Sequence, residues 1–293
     1  MKKILKVLLL LVLTLSLVAC GGSSNDDSAT EGKRPDKIKF GVTGIEGMEQ
    51  LQTEFGAFKD ELEKVLGVPV EFYALSDNAS AITALEFEQV DLLLAGGSEY
   101  VMVKDSDNSV YPIAGLTRPG YIPVILSHVD SGIESIDDIQ PEHKLGTRNV
   151  GSTSGHLMPL KTLIDAGLDI EKDITVLELG KSNEGAFLAK EIDLLPTTLL
   201  NYEELKAEEG IDFNIVIEGD PLPNDLLIGG GHLAADYIDE IREAIIANSD
   251  ALMAGILASE ENEKYSESAF IEAKDSDYDE LREAYKVLGI EYN

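Results

Sequence analysis

Residues 149–156 (NVGSTSGH) combine side-chain types and a spacing that could hold an oxyanion. Ser152, Thr153 and Ser154 place three neutral hydroxyls in a row between two glycines. A strand is predicted before them and a helix after them, and a helix N-terminus offers unpaired backbone N–H groups to an anion. One Ser or Thr at such a place is also the usual N-cap. Because three hydroxyls exceed what capping needs, we interpret the segment as an oxyanion cradle.

The other reactive residues lack the spacing of a catalytic or metal-binding site. Asp105, Asp107 and Asn108 are followed by neither the glycine nor the glutamate of a calcium loop. The four histidines show no metal-ligand spacing, and no serine lies midway between Gly151 and Gly155, as a hydrolase nucleophile elbow would require. We therefore predict that the chain is not an enzyme and uses no cofactor and no metal ion.

The charge of the chain excludes some classes of partner. It carries 55 acidic and 23 basic residues, which give a formal net charge of −32. Such a field repels phosphate backbones, which argues against a nucleic-acid partner, and it also argues against electrostatic attachment to an anionic membrane surface. Two interpretations of the charge stay open, a solvated acidic surface and an adaptation to high salt or alkaline surroundings.

The N-terminus has the features of a processing signal. Three lysines precede an apolar run over 8–19 that is too short to be a comfortable membrane span. The run ends in LVAC, which resembles a bacterial lipobox, and Cys20 is the single cysteine. We predict a signal peptide over 1–19, a lipid on Cys20 that anchors the chain to the extracytoplasmic face of the cell membrane, and a flexible tether over 20–37. The alternative is an ordinary secretory signal with an incidental cysteine.

Strand and helix patterns alternate along the rest of the chain. Strands are predicted near 38–42, 68–72, 90–95, 145–149, 174–179, 192–195 and 214–218, and helices near 55–65, 79–88, 157–164 and 184–191 and in the C-terminal third. Repeated strand–helix–strand units favour largely parallel sheets with helices on both faces. Two such sheets fit the length, with the chain crossing between them near 122–126 and 221–228. One lobe would comprise 38–124 with 222–293, and the other 125–221.

Several short motifs resemble the phosphate/phosphite/phosphonate-binding proteins of ABC importers. They are LGVPV at 66–70, VDL at 90–92, GSEYV at 97–101, GY at 120–121, DSGIESIDDI at 130–139, GSTSGHLMP at 151–159 and PLPND at 221–225. The similarity covers nearly the whole chain from about residue 38, and the hydroxyl segment is its most specific part. The resemblance implies an α/β, two-lobed type II periplasmic-binding-protein fold. Each lobe would be a mostly parallel sheet flanked by helices, and the ligand would lie in the cleft between them.

The resemblance also implies roles for individual residues. Ser152, Thr153 and Ser154 would hold the oxyanion, and Tyr100 and Tyr121 would line the cleft.

Three further positions follow from the same resemblance. Asp193 matches an aspartate that faces the ligand, and as an acceptor-only carboxylate it would read a proton on that ligand. Asn183 stands where the family often has a histidine. His156 either touches the ligand or is a packed side chain at the helix start, since the family usually has an aromatic residue there.

Three charged residues have both a functional and a plain interpretation. Arg118 and Arg148 could reach an anion, but surface ion pairing is the default for arginine in so acidic a chain. Glu99 could bind an amino group on a ligand, although a solvated carboxylate is the simpler interpretation.

Together these features predict the substrate-binding component of an ABC importer. It would be a monomer that captures a small anion, a phosphonate, phosphite or phosphate, closes around it and docks on a membrane permease. Three alternatives stay open: an extracytoplasmic sensing module for a membrane receptor, a receptor for a sulfonate or pyrimidine, and a hydrolase on a similar fold.

Overall fold

The computed structural model describes residues 32–45, 47–76 and 78–291, and the chain from Gly32 onward forms one compact unit. The predicted signal peptide and Cys20 lie outside the described residues. Within the described part of the chain, no helix combines the length and the apolar character needed to cross a membrane.

The last residues of the predicted tether are bound to the folded unit. Lys33 forms an isolated β-bridge, and its N–H donates to the carbonyl of His232 at 2.7 Å. The Arg34 guanidinium forms an ion pair with Glu240 at 2.8 Å. Because these bonds offset the entropy cost of ordering the backbone, the tether predicted over 20–37 is too long at its C-terminal end.

The described chain alternates strands and helices much as the sequence pattern predicts. The strands are β1 (Ile38–Thr43), β2 (Val70–Leu75), β3 (Leu92–Ala95), β4 (Tyr111–Leu116), β5 (Pro123–His128), β6 (Lys144–Thr147), β7 (Thr175–Glu178), β8 (Leu194–Thr198), β9 (Phe213–Glu218), β10 (Asp225–Gly229) and β11 (Phe270–Ile271). The helices are α1 (Met48–Leu66), α2 (Asn78–Glu86), α3 (Gly97–Ser106), α4 (Met158–Asp165), α5 (Asn183–Leu188), α6 (Leu199–Glu209), α7 (Ala235–Ala247), α8 (Ser249–Ile256) and α9 (Asp279–Leu288).

The strands form two separate sheets, which we call the first and second lobes together with their helices. The first has the order β11-β4-β10-β3-β1-β2 and the second β7-β6-β8-β5-β9. In the first, β1 is parallel to β2 and β3, and in the second β6 is parallel to β7 and β8. β5 and β10 are the first strands that the chain forms after it crosses from one lobe to the other. Both are antiparallel to their neighbours. The expectation of a two-lobed α/β fold is confirmed, and both sheets are mixed, because four of the nine pairs of described strands are parallel and five are antiparallel.

The chain passes between the two sheets twice. The connections run over 117–122 and 219–224. Residues 123–126, expected at the first crossing, instead belong to β5, because that strand pairs with neighbours on both sides and is buried along its whole length. The exact lobe boundaries, 124/125 and 221/222, stay predictions.

Helix α1 shows why the sequence pattern identifies these elements. Phe55, Phe58 and Leu62 face the sheet and are buried, and burying one such side chain stabilises the fold by about 1.5–3 kcal/mol. The helix ends at Gly67, whose φ of 69° is left-handed and whose N–H donates to the Glu63 carbonyl. Glycine adopts this conformation without the steric cost of a Cβ.

One buried apolar cluster includes residues of both lobes. Leu157 and Met158, at the start of α4 in the second lobe, belong to the same cluster as Tyr278, Leu281 and Tyr285 from the C-terminal segment. Helix α9 accordingly contacts both α4 and the turn that precedes it. The segment that carries the predicted oxyanion cradle is therefore packed against the last helix of the chain.

Candidate ligand-binding site

A cleft of about 770 Å³ lies where strands of both sheets end. Thr43 at the end of β1 and Ala95 at the end of β3 line it from the first lobe. Thr198 at the end of β8 lines it from the second lobe. Ligands of open α/β sheets bind outside the carboxyl ends of the strands, so this is the place where a binding site is expected.

The predicted oxyanion cradle lines this cleft. Ser152, Thr153 and Ser154 all contribute to its wall, and Thr153–Leu157 form a π-helical turn that leads into α4. Ser152 occupies the N-cap position, yet its side chain makes no capping hydrogen bond. Single π turns occur often at functional sites. The Ser152 hydroxyl therefore does not cap the helix. Helix capping alone does not explain why a serine is present at this position.

Gly155 allows the side chain of Arg148 to pack against the turn. A Cβ at Gly155 would lie 2.4 Å from Cγ and 2.7 Å from Cδ of Arg148, closer than non-bonded carbon atoms approach. The Arg148 N–H also donates to the Gly155 carbonyl at 3.0 Å. The second glycine of the motif thus brings a cation to the cleft wall, since Arg148 lines the cleft.

We expect Gly155→Ala to weaken ligand binding by roughly tenfold, because the new methyl group must displace Arg148 and distort the turn. Isothermal titration calorimetry measures the effect. Gly185→Ala is the matched control, because Gly185 lies in α5 of the same lobe and a Cβ there would meet no atom within 4 Å. Equal affinities for the two variants would contradict a positioning role for Gly155.

Tyr121 belongs to a connected group of polar side chains in the cleft. Burial raises the pKa of its phenol, and the nearby Ser154 hydroxyl opposes that shift. The guanidinium carbon of Arg118 lies 3.7 Å from the centre of the Tyr121 ring. Arg118 Nη1 donates to Asp225 Oδ1 at 3.4 Å, and the Tyr265 hydroxyl donates to Asp225 Oδ2 at 2.5 Å. Asp225 therefore holds Arg118 over the ring of Tyr121.

Three further basic residues line the same cleft, Arg148 and Lys181 from the second lobe and Lys264 from the first. Lys264, from the turn Glu260–Tyr265, and Arg148 both line it. The pKa of Lys264 is lowered, first because the surrounding protein desolvates the ammonium group; Asp225 and Glu54 favour the charged form, and Arg118 and Arg148 oppose it. No carboxylate of the described residues forms an ion pair with Arg148 or Lys264. The ammonium group lies 5.0 Å from the centre of the Tyr265 ring.

Glu99 lies at the start of α3 and also lines the cleft. Its carboxylate accepts a hydrogen bond from the Ser98 hydroxyl at 3.0 Å, and burial raises the pKa of the Glu99 carboxyl group. The Glu99 side chain is therefore partly buried in the cleft wall and not fully solvated.

Tyr100, predicted to line the cleft, points elsewhere. Its side chain is fully buried, its hydroxyl donates to Asp275 Oδ1 at 2.7 Å, and its ring packs on Tyr278 with centroids 4.9 Å apart. Ser98 and Glu99, in the first turn of α3, line the cleft instead. Because successive helical residues point in different directions, Tyr100 falls on the face that packs against the C-terminal segment.

Asp193 also lies away from the cleft. It precedes β8, whose other end at Thr198 reaches the cleft, and a five-residue strand spans about 16 Å. The Asp193 carboxylate accepts a hydrogen bond from the N–H of Lys144 at 2.8 Å. The prediction that Asp193 faces the ligand and reads its proton is wrong, because the carboxylate pairs with a backbone donor at the far end of the sheet.

Asn183 and His156 are buried near the cleft but are not part of its wall. The Asn183 amide donates to the carbonyl of Gly146 at 3.3 Å. His156 is 7% exposed, and burial lowers the pKa of its imidazole. Of its two interpretations, the packed side chain at the helix start agrees with this position.

Sequence reasoning undervalued or missed several residues of the cleft. Arg118 was assigned to surface pairing, yet its side chain is only 18% exposed. Asp225 was noted only as the end of the PLPND motif, and that motif was the available signal for it. Nothing local marks Lys264 or Tyr265, which come from the C-terminal third of the chain. The described residues contain no group of three His, Cys, Asp or Glu side chains that could hold a metal ion.

Comparison with known proteins identifies relatives of this chain. The chain is 26% identical over 218 residues to the phosphonates-binding periplasmic protein of Escherichia coli K12, which covers 70% of this chain. It spans 64% of the length of that relative.

Solved structures share its type II periplasmic-binding-protein fold. A binding-protein component of an ABC phosphonate transporter from Pseudomonas aeruginosa superposes with a TM-score of 0.67 at 20% identity, over 86% of both chains. PhnD1 from Prochlorococcus marinus, solved with methylphosphonate, gives 0.68 at 17% identity over 88% of this chain and all of its own. The family described as "ABC transporter, phosphonate, periplasmic substrate-binding protein" matches residues 40–278. The match extends over most of the sequence, and the chain belongs to this family of periplasmic substrate-binding proteins.

Proposed function

We propose that the chain captures a phosphonate in the cleft between its lobes and delivers it to the permease of an ABC importer. The observation that carries the proposal is the π-helical turn at Thr153–Leu157, with its preceding serine, at the cleft wall. Its hydroxyls and the Tyr121 phenol offer neutral donors to a tetrahedral oxyanion, and a helix N-terminus favours negative charge. The family match supports a phosphorus ligand over a sulfonate or a pyrimidine.

The site as proposed binds its ligand without altering it. A hydrolase needs a nucleophile next to a general base, and His156, the histidine within the turn, is packed outside the cleft. We therefore propose that the chain is a non-enzymatic monomer whose lobes close on the ligand before docking on the permease.

The strongly acidic chain must still attract an anion. The net charge is −32, but exposed carboxylates more than about 10 Å from the ligand are largely screened at physiological salt. Donors aimed into a desolvated cleft act at short range in a lower dielectric. The local donors of the turn can therefore outweigh the field of the surface.

Calorimetric titration of the full-length chain in detergent tests the proposal. We expect methylphosphonate to bind with a measurable affinity, and sulfate, methanesulfonate and uracil to bind far more weakly. Preferred binding of methanesulfonate or uracil would replace the phosphonate with one of the alternative ligands, and the absence of binding by any phosphonate would reject the proposed function.

We further propose that Cys20 carries the lipid that holds the protein at the extracytoplasmic face of the membrane. The support is the LVAC sequence at the end of the apolar run. Cys20→Ser should release the protein from the membrane fraction, because one attached diacylglycerol contributes many buried CH₂ groups at about 0.8 kcal/mol each. Detergent phase partitioning measures the change, and a Ser23→Ala variant, three residues further on, should stay in the detergent phase. Retention of both variants would contradict lipidation at Cys20.

A further inference from the structure

Four basic side chains line the cleft, and three of them, Arg118, Arg148 and Lys264, come from separate parts of the chain. Arg118 lies on the connection from the first to the second lobe, Arg148 follows β6 in the second lobe, and Lys264 comes from the first lobe. They are near enough to act on one another, because both arginines disfavour the charged form of Lys264.

This convergence is unusual in so acidic a chain. With 55 acidic and 23 basic residues, most basic side chains have carboxylates to pair with, as Lys190 pairs with Asp130 and Lys172 with Asp169. Arg148 and Lys264 have no such partner among the described residues. Both residues are exposed and line the cleft, so their charged groups are accessible to an anionic ligand.

The phosphonate alone does not account for these cations. The hydroxyl turn already supplies donors to one tetrahedral group, and such a cradle needs no cation. Arg118 stacks on the ring of Tyr121, whose phenol lies near Ser154. The basic groups therefore flank the cradle and can meet a second part of the ligand.

The size of the cleft agrees with a larger ligand. The cleft is half-open to solvent and has a volume of about 770 Å³. Methylphosphonate, with five non-hydrogen atoms, leaves most of that space unfilled. A ligand that extends from the cradle to the basic groups uses it better.

We propose that the ligand is a phosphonate that also carries a carboxylate, with the phosphonate on Ser152–Ser154 and the carboxylate among Arg118, Arg148 and Lys264. The planar guanidinium groups match the geometry of a carboxylate. Acidic residues line the first-lobe side as well, and the charges of Asp225 and Glu54 both act on Lys264. An aminophosphonate, whose ammonium group would face those acids, is the competing ligand. The inference rests on the proposed function and goes further by naming the second charged group.

The test compares two ligands of equal size that differ in one charge, phosphonoacetate and phosphonoacetamide. Titrated into the full-length chain in detergent, phosphonoacetate should bind at least tenfold more tightly. In the double variant Arg148→Gln/Lys264→Gln that ratio should fall towards one, because the carboxylate loses its charged partners. Lys172→Gln, which removes one exposed lysine of the second lobe, should keep the ratio. Thermal unfolding of each variant checks that it is folded.

The outcomes separate the two proposals. If both phosphonates bind equally well, or if 2-aminoethylphosphonate binds more tightly than phosphonoacetate, the carboxylate inference is wrong while the phosphonate function stands. If no phosphonate binds, methylphosphonate included, the proposed function fails and the inference fails with it. An unchanged ratio in the double variant would show that the selectivity arises elsewhere, which also overturns the inference.

Discussion

The triple variant Ser152→Ala/Thr153→Ala/Ser154→Ala should lose most of its affinity for phosphonates. A hydrogen bond to a charged group contributes about 1.5–3 kcal/mol, so each single alanine variant should weaken binding by roughly 10- to 100-fold. The triple variant should exceed any single one, although neighbouring effects do not add exactly. Calorimetry with methylphosphonate gives the dissociation constants.

The stability of these variants separates binding from folding. The Ser152 side chain caps no helix amide, so Ser152→Ala should leave the unfolding temperature close to its original value. Ser182→Ala is the matched control, since Ser182 precedes α5 in the same lobe, also makes no capping bond, and does not line the cleft. Normal phosphonate binding by the triple variant would place the ligand elsewhere.

Asp225→Ala should destabilise the protein by about 3–5 kcal/mol, the cost of removing one partner of a buried ion pair. The side chains of Asp225 and Arg118 are only 9% and 18% exposed. The variant leaves the Arg118 guanidinium without its counter-ion and the buried Tyr265 hydroxyl without its acceptor. Urea unfolding measures the loss as a lower midpoint at unchanged slope.

Two further variants make the Asp225 result interpretable. Asp239→Ala removes the same charge from an exposed surface pair and should shift the midpoint far less. Adding Arg118→Ala to Asp225→Ala should cost less than the sum of the two single changes, because the unpaired guanidinium is then absent. Strictly additive losses would show that the two side chains do not stabilise each other.

The sequence predicted those parts of the site that depend on local patterns. The hydroxyl turn sits at a strand-to-helix junction, and such a junction is visible in a short window of residues. The prediction that Tyr100 lines the cleft is wrong because the direction of its side chain depends on how α3 is rotated about its own axis. The hydrophobic pattern of the helix does not reveal that rotation. The prediction that Asp193 faces the ligand did not hold because its position depends on which end of β8 reaches the cleft. The arrangement of the sheet decides this, and a short sequence motif does not show it.

Long-range contacts account for the remaining omissions. Asp225 lies more than 100 residues from Arg118, and only the folded chain brings the pair together with Tyr265. Arginine in so acidic a chain is expected to pair at the surface, but the Arg118 side chain is only 18% exposed. A single sequence does not carry that information, because burial depends on segments that fold against the residue from elsewhere.

The apolar cluster that α9 shares with the start of α4 has a practical consequence for measuring ligand capture. Any movement of the second lobe during closure must slide or tilt α4 against α9, because their side chains belong to one packed cluster. Val287 on α9 is 44% exposed, and the chain has a single cysteine, at position 20. A dye on Val287→Cys in a Cys20→Ser background would therefore occupy one defined thiol outside the cleft. Its emission would report closure optically, which turns the protein into a sensor for its own ligand.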